Sequence, residues 1–595
     1  MKRKRFKHVF FAVFSILLLS NTIISCDNRI YEIKSTESDS HIITILKSGK
    51  FLLLPIEEKA PATEVRVDGG SKYRIKLAQK NIDYYVPINI NPNGGSTVEI
   101  KRLSDSAIAL SNFQVNNRFD TSNREKFRPN YHFTPAYGWI NDPNGLVYHD
   151  GIYHLFYQHN PFGSTWENMS WGHATSKDLN TWEQHPVAIY PDSLGSIYSG
   201  SAIVDKKGIA GFGKDAILAF FTYNNYSRNP QQVQGLAYST DGGGTFVKYK
   251  NNPILIDKRF PKDHRDPKVF YHNESQQWIM LLTGGENIVF YKSKNLINWE
   301  FTSEFVAPAV NGEKIICECP DLIELSIDGE PRNKKWILFT SRLSGLYGSS
   351  STEYHIGDFD GNKFTIDENS STKWIDYGKD NYASVSWSGA PQATIIGWFN
   401  NWGYSHDIPT QQYRGGMTLA RKLSLFRQDG KLYLKTTPIS NNEKLGKSQK
   451  NISDLNITNE ELIDNLSETP SESYKINIDI TMQNAKELEF TLYNDKNEEL
   501  IFSIDKNQKT ISINRNNSGL VNFHEKFSTI TTAPLLKTDN MLVEIFVDNS
   551  TLEVFINNGE TAITNLIYPS APYNQIKLHT TKGNCKINKL QYFTY

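Results

Sequence analysis

Three carboxylates, each followed closely by proline, are the residues of this sequence best suited to do chemistry. Their motifs read Trp139-Ile140-Asn141-Asp142-Pro143-Asn144-Gly145, Arg265-Asp266-Pro267 and Glu318-Cys319-Pro320-Asp321. Proline and Asn-Gly predict a tight turn around Asp142 rather than a helix or a central strand, which would fix the direction of the carboxylate. Two carboxylates of different pKa are the usual equipment of glycoside hydrolysis. One attacks or activates water, and the other donates a proton to the leaving oxygen.

Other chemistries fit the sequence less well. Three acids could bind Ca²⁺, but calcium ligands usually come from one closely spaced loop. The chain has 14 His, yet no Gly-x-Ser-x-Gly motif accompanies them to indicate a serine nucleophile. The glycine run 242–244 is followed by Thr245-Phe246 and not by Lys, which indicates a hairpin turn rather than a phosphate-binding loop. We therefore expect neither a metal nor a cofactor.

A β-propeller is the predicted means of bringing the three acids together. Between 128 and 440, a polar turn followed by an aromatic strand start recurs roughly every 50–65 residues, at Trp182, Phe246, Trp299 and Phe364. A further hairpin at 417–434 makes about five blades. In such a fold the inner strands of successive blades converge on one central funnel, where the acids would meet.

The regions that flank this catalytic candidate have their own patterns. Residues 27–115 contain short strand-like runs separated by Gly turns and predict a small N-terminal β domain of unknown role. Residues 471–595 alternate cleanly and predict a C-terminal β-sandwich. The polar stretch 441–470 is interpreted as a linker, with a short capped helix at 458–466.

The first 26 residues have the pattern of a bacterial lipoprotein signal peptide. A positive run at 2–5 precedes an apolar stretch at 9–19, which is too short to span a membrane. Ser25-Cys26 then resembles the end of a lipobox, with an ordinary signal peptide as the alternative. We expect cleavage before Cys26 and a lipid on its sulfur, so that the chain is exported and anchored to a membrane, in the periplasm or at the cell surface.

Composition excludes some partners. The 595-residue chain has 64 basic and 64 acidic residues, a balance that does not indicate a nucleic-acid partner. Its length predicts about two to four domains. Cys317, Cys319 and Cys585 show neither zinc spacing nor a disulfide framework. On a regular strand, Cys317 and Cys319 would point to the face opposite Glu318.

The motifs around the three acids resemble those of glycoside hydrolase family 32, the β-fructofuranosidases, which include invertases, inulinases and levanases. The resemblance runs from about 128 to the C-terminus and leaves out 27–115. Other matching segments are Arg128-Pro129-Asn130-Tyr131-His132-Phe133-Thr134-Pro135, Tyr198-Ser199-Gly200-Ser201-Ala202, Gly357-Asp358-Phe359-Asp360-Gly361, Asp376-Tyr377-Gly378 and Asn400-Asn401-Trp402. It implies an all-β fold, in which a five-bladed β-propeller precedes a C-terminal β-sandwich and the small N-terminal β domain is an addition.

The resemblance also implies a role for each acid. Asp142 is expected to be the nucleophile, Glu318 the general acid/base and Asp266 the transition-state stabiliser of a retaining reaction, with the first two carboxyls about 5–5.5 Å apart. We expect Arg265 to keep Asp266 ionised rather than to approach Glu318. The expected substrate-binding residues are Asn141, Gln158, Trp166, Tyr198, Ser199, Arg265 and Trp402. Cys317 departs from the family pattern, because many members carry Trp at that place.

The function implied is a retaining glycoside hydrolase that cleaves β-fructofuranosyl linkages in levan, inulin or fructo-oligosaccharides. Hydrolysis of sucrose by the same chemistry stays open. Two alternatives stay open: a fructosyltransferase of the same fold, and a non-catalytic fructan-binding lipoprotein. The sequence does not decide between β-2,6 and β-2,1 linkages, between exo and endo action, or between oligomeric states.

Overall fold

The computed structural model describes residues 29–37, 39–121, 125–367, 373–439 and 448–595, and it is built almost entirely from strands. The predicted signal peptide and Cys26 lie outside these ranges. Within them, no helix is long and apolar enough to cross a membrane. The predicted all-β class is confirmed.

The N-terminal domain consists of two small sheets around one apolar core. The five-stranded sheet contains, in spatial order, Tyr31–Glu37, Ser40–Ile45, Thr97–Lys101, Thr63–Val67 and Lys72–Ile75. The three-stranded sheet contains Tyr84–Asn89, Phe51–Ile56 and Gln114–Asn116, and a short 3₁₀ helix spans Ile108–Ser111. Alternate residues of these strands, among them Ile43, Leu52 and Val98, are fully buried between the sheets.

A five-bladed propeller follows, and each blade is an antiparallel sheet. From the centre outward, blade 1 contains Gly138–His149, Ile152–Asn160, Ser170–Ser176 and Glu183–Ile189, and blade 2 contains Ser196–Asp205, Ala216–Asn224, Gln232–Ser239 and Val247–Lys248. In the same order, blade 3 contains His264–His272, Gln277–Gly284, Asn287–Ser293 and Glu300–Val306, and blade 4 contains Cys317–Ile327, Glu330–Arg342, Ser351–Phe359 and Phe364–Ile366. Blade 5 contains Tyr382–Ser386, Thr394–Trp398, Arg421–Gln428 and Lys431–Pro438. Two short strands, Lys373–Trp374 and Tyr413–Arg414, and the 3₁₀ turn Leu346–Gly348 complete it.

The blades are held together by apolar side chains that pack between neighbouring sheets. Phe156 and Trp171 of blade 1 pack against Phe221 of blade 2, and comparable buried clusters join every other adjacent pair, including blades 5 and 1. Each sheet is therefore covered on both faces, which explains why its inner strands are apolar along most of their length.

The C-terminal sandwich packs two six-stranded sheets face to face. One contains Ser448–Ile457, Cys585–Thr594, Tyr474–Thr481, Asn540–Asp548, Thr551–Ile556 and Thr561–Leu566; the other contains Glu460–Ile463, Gln575–His579, Glu487–Tyr493, Glu499–Asp505, Thr510–Asn517 and Ile530–Pro534. The predicted linker at 441–470 is wrong over 448–463, and so is the helix at 458–466. Those residues are strands because they pair with partners more than 100 residues later in the chain.

Buried charges join the propeller to the sandwich. Arg421 of blade 5 contacts Asp376 and Glu553 at 2.7 Å each, and all three side chains are almost completely buried. His132 lies between Glu553, at 2.9 Å from Nε2, and Asp548, at 3.0 Å from Nδ1. Although burial acts to lower it, these two carboxylates raise the pKa of His132 to about 9. The imidazolium therefore stabilises the interface at neutral pH.

Candidate active site

The same irregularity occurs near the start of all five inner strands of the propeller. At each position two consecutive residues lie opposite one residue of the next strand, which is the arrangement of a β-bulge. The bulged pairs are Asn141-Asp142, Tyr198-Ser199, Asp266-Pro267, Cys319-Pro320 and Ala383-Ser384. Because the inner strands converge, the five bulges direct neighbouring side chains toward one site at this end of the central channel.

Asp142 lies within a strand rather than on a turn, so the predicted turn is wrong. Gly138–His149 is continuous and accommodates Pro143 through the bulge opposite Gln158, since a bulge tolerates a residue without an N–H donor. A second irregularity contains Gly145, whose φ of 54° fits glycine. A Cβ there would lie 2.6 Å from the ring of Phe156, so the motif is also required for packing.

The Asp142 carboxylate is held by one of its oxygens. Oδ2 accepts a hydrogen bond of 2.6 Å from the Ser199 hydroxyl and a 3.4 Å contact from the Cys319 thiol. Within the described chain, Oδ1 accepts no hydrogen bond. Burial and the neighbouring charge of Glu318 raise the pKa of Asp142, and the Ser199 hydrogen bond acts in the opposite direction. These contacts fix the direction of the carboxylate, whose Oδ1 is buried.

Cys319 connects two of the acids through different atoms. Its backbone N–H donates to Oδ2 of Asp266 at 2.9 Å, while its thiol reaches Asp142. The prediction that its side chain faces away from Glu318 is wrong, because the bulge gives Cys319 a φ of 46° and interrupts the alternation. Cys317 lies before the bulge and donates instead to the carbonyl of Glu286, at 3.3 Å.

Asp266 is the most deeply buried of the three acids. Its φ is 64°, and its backbone N–H donates to the Thr222 hydroxyl at 3.1 Å, which fixes the bulge. Burial raises the pKa of Asp266 to about 7; Arg265 acts against this change, and the charges of Glu318 and Asp142 add to it. Three carboxylates thus share one weakly solvated site with a single adjacent guanidinium.

Glu318 is partly exposed and is held by two donors. Nη2 of Arg265 donates to Oε1 at 3.0 Å, and the Tyr382 hydroxyl donates to Oε2. The expectation that Arg265 avoids Glu318 is wrong, since its nearest approach to Asp266 is longer, at 3.9 Å. Asp263 holds the same guanidinium at 2.7 Å from the other side. Both oxygens of Glu318 are therefore oriented while its end remains accessible.

An aromatic wall surrounds the acids. Trp139 is fully buried, donates from Nε1 to Oδ1 of Asn141 at 2.8 Å and stacks on Trp402 with ring centroids 5.9 Å apart. Trp166 and Tyr198 meet edge to face with ring centroids 5.9 Å apart. Trp166, Tyr198 and Trp402 are half-buried, join one cluster with Trp139 and Cys319, and provide flat apolar faces for a sugar ring.

The remaining predicted binding residue, Gln158, is buried and joins two blades. Its Nε2 donates to the carbonyl of Ile197 at 3.1 Å. Among the residues that the structure describes, every predicted site residue lies at this end of the channel. Sequence reasoning missed Tyr382 and Thr222, which have no neighbouring motif, and it gave no role to Cys319 although this residue stands inside the acid motif.

A buried ion pair closes the channel below the acids. Nζ of Lys268 contacts Asp321 at 3.0 Å and the carbonyl of Ser386 at 2.8 Å, joining three inner strands. A cavity of about 1380 Å³ opens beyond this closure, at the other end of the channel, and its lining includes Tyr271 and Trp336. That cavity does not include the three acids, which lie on the other side of the ion pair.

Comparisons with known proteins place this site in a family. A model of the N-terminal domain of glycosyl hydrolases family 32 matches residues 132–436, and a model of the C-terminal domain of that family matches 441–594. The chain belongs to glycosyl hydrolases family 32. Residues 37–131 match a separate domain of unknown function (DUF4980).

Relatives with known names support this family assignment. A levanase of Bacillus subtilis is 40% identical over 480 residues, which cover 78% of this chain and 70% of the levanase. The crystal structure of an exo-inulinase from Aspergillus awamori has a TM-score of 0.73 and 32% identity, covering 80% of this chain and 99% of that one. A β-fructofuranosidase from Schwanniomyces occidentalis, complexed with fructosyl-erythritol, has a TM-score of 0.72 and 29% identity, covering 80% and 98%. The resemblance seen in the motifs is confirmed, and the chain is a glycoside hydrolase.

Proposed function

We propose that this enzyme hydrolyses β-fructofuranosyl linkages in fructans with retention of configuration. The observation that carries the proposal is the convergence of three carboxylates on one aromatic-walled site, in a family whose named relatives are a levanase, exo-inulinases and fructofuranosidases. The names of these relatives favour catalysis over a purely fructan-binding role. Sucrose and fructo-oligosaccharides present the same terminal unit and fall within the proposed substrate class.

Asp142 is the proposed nucleophile. The Ser199 and Cys319 contacts both engage Oδ2 and hold the carboxylate in one orientation, and Oδ1 has no hydrogen-bond donor among the described residues. Attack of the Asp142 carboxylate on the anomeric C2 of fructose forms the covalent fructosyl-enzyme and breaks the bond to the leaving oxygen. An anionic carboxylate at that position also stabilises the positive charge that develops on the sugar in the transition state.

Glu318 is the proposed general acid/base. It donates a proton to the leaving oxygen in the first step and removes one from water in the second. Arg265 and Tyr382 orient its two oxygens, and the side chain is partly exposed, which allows water to approach it. When a sugar hydroxyl replaces water as the acceptor, the same site performs transfer, so the ratio of the two outcomes depends on the acceptor.

Asp266 is the proposed transition-state stabiliser. The Cys319 N–H fixes its Oδ2, which leaves its other oxygen for hydroxyls of the fructosyl unit. Asn141, Gln158, Trp166, Tyr198, Ser199, Arg265 and Trp402 are proposed to surround that unit. Trp402 and Trp166 supply the stacking surfaces, and Asn141 and Gln158 supply amide groups next to Asp142.

Export and membrane anchoring are also proposed. Exo-inulinases among the relatives are named as extracellular enzymes. A lipid on Cys26 would keep this enzyme at the membrane, where it meets polymers too large to be imported intact. The proposed domains are a signal peptide at 1–26, the N-terminal domain at 27–115, the catalytic propeller at 128–440 and a sandwich at 471–595, which the strands of 448–463 extend.

Fructose release from levan, inulin and sucrose tests this function. The wild-type enzyme should release reducing sugar from at least one of these, and Asp142→Asn should reduce turnover by more than ~10³-fold with an unchanged fold. Retained binding of fructans without release from any of them would instead favour the fructan-binding alternative. Chromatography of the products then assigns linkage and chain-end preference.

A further inference from the structure

One loop of the propeller is packed between the N-terminal domain and the candidate active site. This loop, 161–169, follows the second strand of blade 1 and carries Trp166; we call it the Trp166 loop. Phe162 points away from the propeller and is buried in the apolar core of the N-terminal domain, 4.6 Å from the ring of Tyr73. A propeller side chain thus completes the core of the domain of unknown function.

Polar contacts hold the other outward-facing residues of the loop. Ser164 donates from its hydroxyl to Glu58 and from its N–H to the Tyr84 hydroxyl, at 3.3 Å for the latter. The Asn168 side chain forms two hydrogen bonds with the backbone of Arg74. It accepts one from the N–H at 2.9 Å and donates one to the carbonyl at 2.8 Å.

An ion pair adds to these contacts. Nε of Arg74 lies 2.6 Å from Glu167, whose side chain is largely covered. On the N-terminal side of the interface, Glu58 also contacts the buried Arg414 of the propeller at 3.4 Å. The loop is therefore bound by the N-terminal domain at Phe162, Ser164, Glu167 and Asn168.

The same loop contacts the active site from its inner face. The carbonyl of Gly163 accepts the N–H of Trp139 at 3.0 Å, and Trp166 joins the cluster formed by Trp139, Cys319 and Tyr382. The residues bound by the N-terminal domain flank both Gly163 and Trp166 in the chain, so a shift of the loop at the domain interface should displace Trp166 relative to the acids.

The N-terminal domain is an addition to the family architecture. Eighty per cent of this chain covers 99% of the solved exo-inulinase, and the family models begin at residue 132. A domain that acts as a spacer or an independent glycan-binding module does not require its core to be completed by a loop from the catalytic domain.

We propose that the N-terminal domain is a positioning element of the active site, which fixes Trp166 by binding the Trp166 loop. The inference rests on the proposed function, in which Trp166 contacts the fructosyl unit. Since that unit is common to all substrates, loosening the loop weakens the binding of short and long substrates equally. A glycan-binding module would affect long fructans alone.

The test compares two double variants of the full chain. Arg74→Met/Tyr84→Phe removes the ion pair to Glu167 and the hydroxyl that contacts Ser164. The control, Arg102→Met/Tyr31→Phe, removes an ion pair to Glu64 and a hydroxyl bonded to Leu110, both inside the N-terminal domain. The interface variant should raise KM about five- to tenfold for both sucrose and levan and leave kcat within about twofold, as expected for lost binding. The control should match the wild type.

A double-mutant cycle and an activity-independent readout complete the test. In a Trp166→Ala background the interface variant should add little to KM, because its effect acts through Trp166. Hydrogen exchange at the amides of 161–169 should increase in the interface variant alone. A KM change confined to levan, full additivity with Trp166→Ala, or unchanged exchange would each overturn the proposal. A wild-type enzyme without activity on sucrose or levan would refute the proposed function. Hydrogen exchange at the amides of 161–169 would still decide whether the N-terminal domain fixes the loop.

Discussion

The hydrogen bond from Ser199 to Asp142 allows a specific prediction about the pH dependence of catalysis. The hydroxyl donates to Oδ2 over 2.6 Å, and it opposes the burial and the Glu318 charge that raise the pKa of Asp142. Ser199→Ala removes this opposition, so the pKa of Asp142 should rise further. Because a nucleophile reacts only when it is ionised, the acidic limb of the kcat/KM profile should move to higher pH.

The size of the loss follows from the type of hydrogen bond. A hydrogen bond to a charged group contributes about 1.5–3 kcal/mol, and about 1.4 kcal/mol corresponds to a tenfold change in rate. Ser199→Ala should therefore lower kcat/KM by about ten- to a hundredfold at the optimum of the wild type. Raising the pH should recover part of this loss, since the carboxylate is then ionised again.

The assay is fructose release measured across the pH range for the variant, the wild type and a matched control. Ser201→Ala serves as the control, because Ser201 lies two residues along the same strand and accepts the N–H of Val269 at 2.9 Å. It should destabilise the fold without moving the acidic limb. An acidic limb that stays in place or moves to lower pH in Ser199→Ala would refute this account of Asp142.

Three further predictions concern the buried charges of the fold and one donor in the active site. Removing the imidazolium by His132→Gln should lower the free energy of unfolding by about 3 kcal/mol below about pH 6.5, and this loss should shrink as the pH rises from there to about 9, the folded pKa of His132. Equal losses at both extremes in denaturant titrations would contradict this. Tyr382→Phe no longer donates to Glu318 and should reduce kcat about tenfold with little change in KM. Steady-state kinetics that show a raised KM and an unchanged kcat would exclude the orienting role. Lys268→Met should lower the free energy of unfolding by about 3–5 kcal/mol, because it leaves the buried Asp321 without its cation. The double variant Lys268→Met/Asp321→Leu should recover most of this stability. Thermal melting that shows the double variant to be as unstable as the single one would count against the ion pair.

The parts of the fold that were predictable from sequence are those recorded in local patterns. Repeated polar turns before an aromatic residue indicated the blades, and clean alternation indicated the sandwich. The strands at 448–463 escaped detection because their partners, such as Gln575–His579, lie far away in the chain. Tertiary pairing there overrides a local helix signal around Thr458.

The same limit applies to the site. Motifs around Asp142, Asp266 and Glu318 indicated three acids, but their orientation depends on bulges that local alternation cannot predict. This is why the thiol of Cys319 reaches Asp142 and why Arg265 contacts Glu318. The contact of the N-terminal domain with the Trp166 loop has no sequence signal either, since it joins residues about 90 positions apart.

The most direct test of the proposed chemistry is detection of the covalent intermediate. Glu318→Gln lacks the acid/base, so it should react with β-fructosyl fluoride, whose leaving group needs no proton, and then hydrolyse slowly. Mass spectrometry of the quenched and digested enzyme should find one fructosyl residue added to the peptide that contains Asp142, and Asp142→Asn/Glu318→Gln should show none. A fructosyl group on another residue, or fructose released with inverted configuration, would contradict the account.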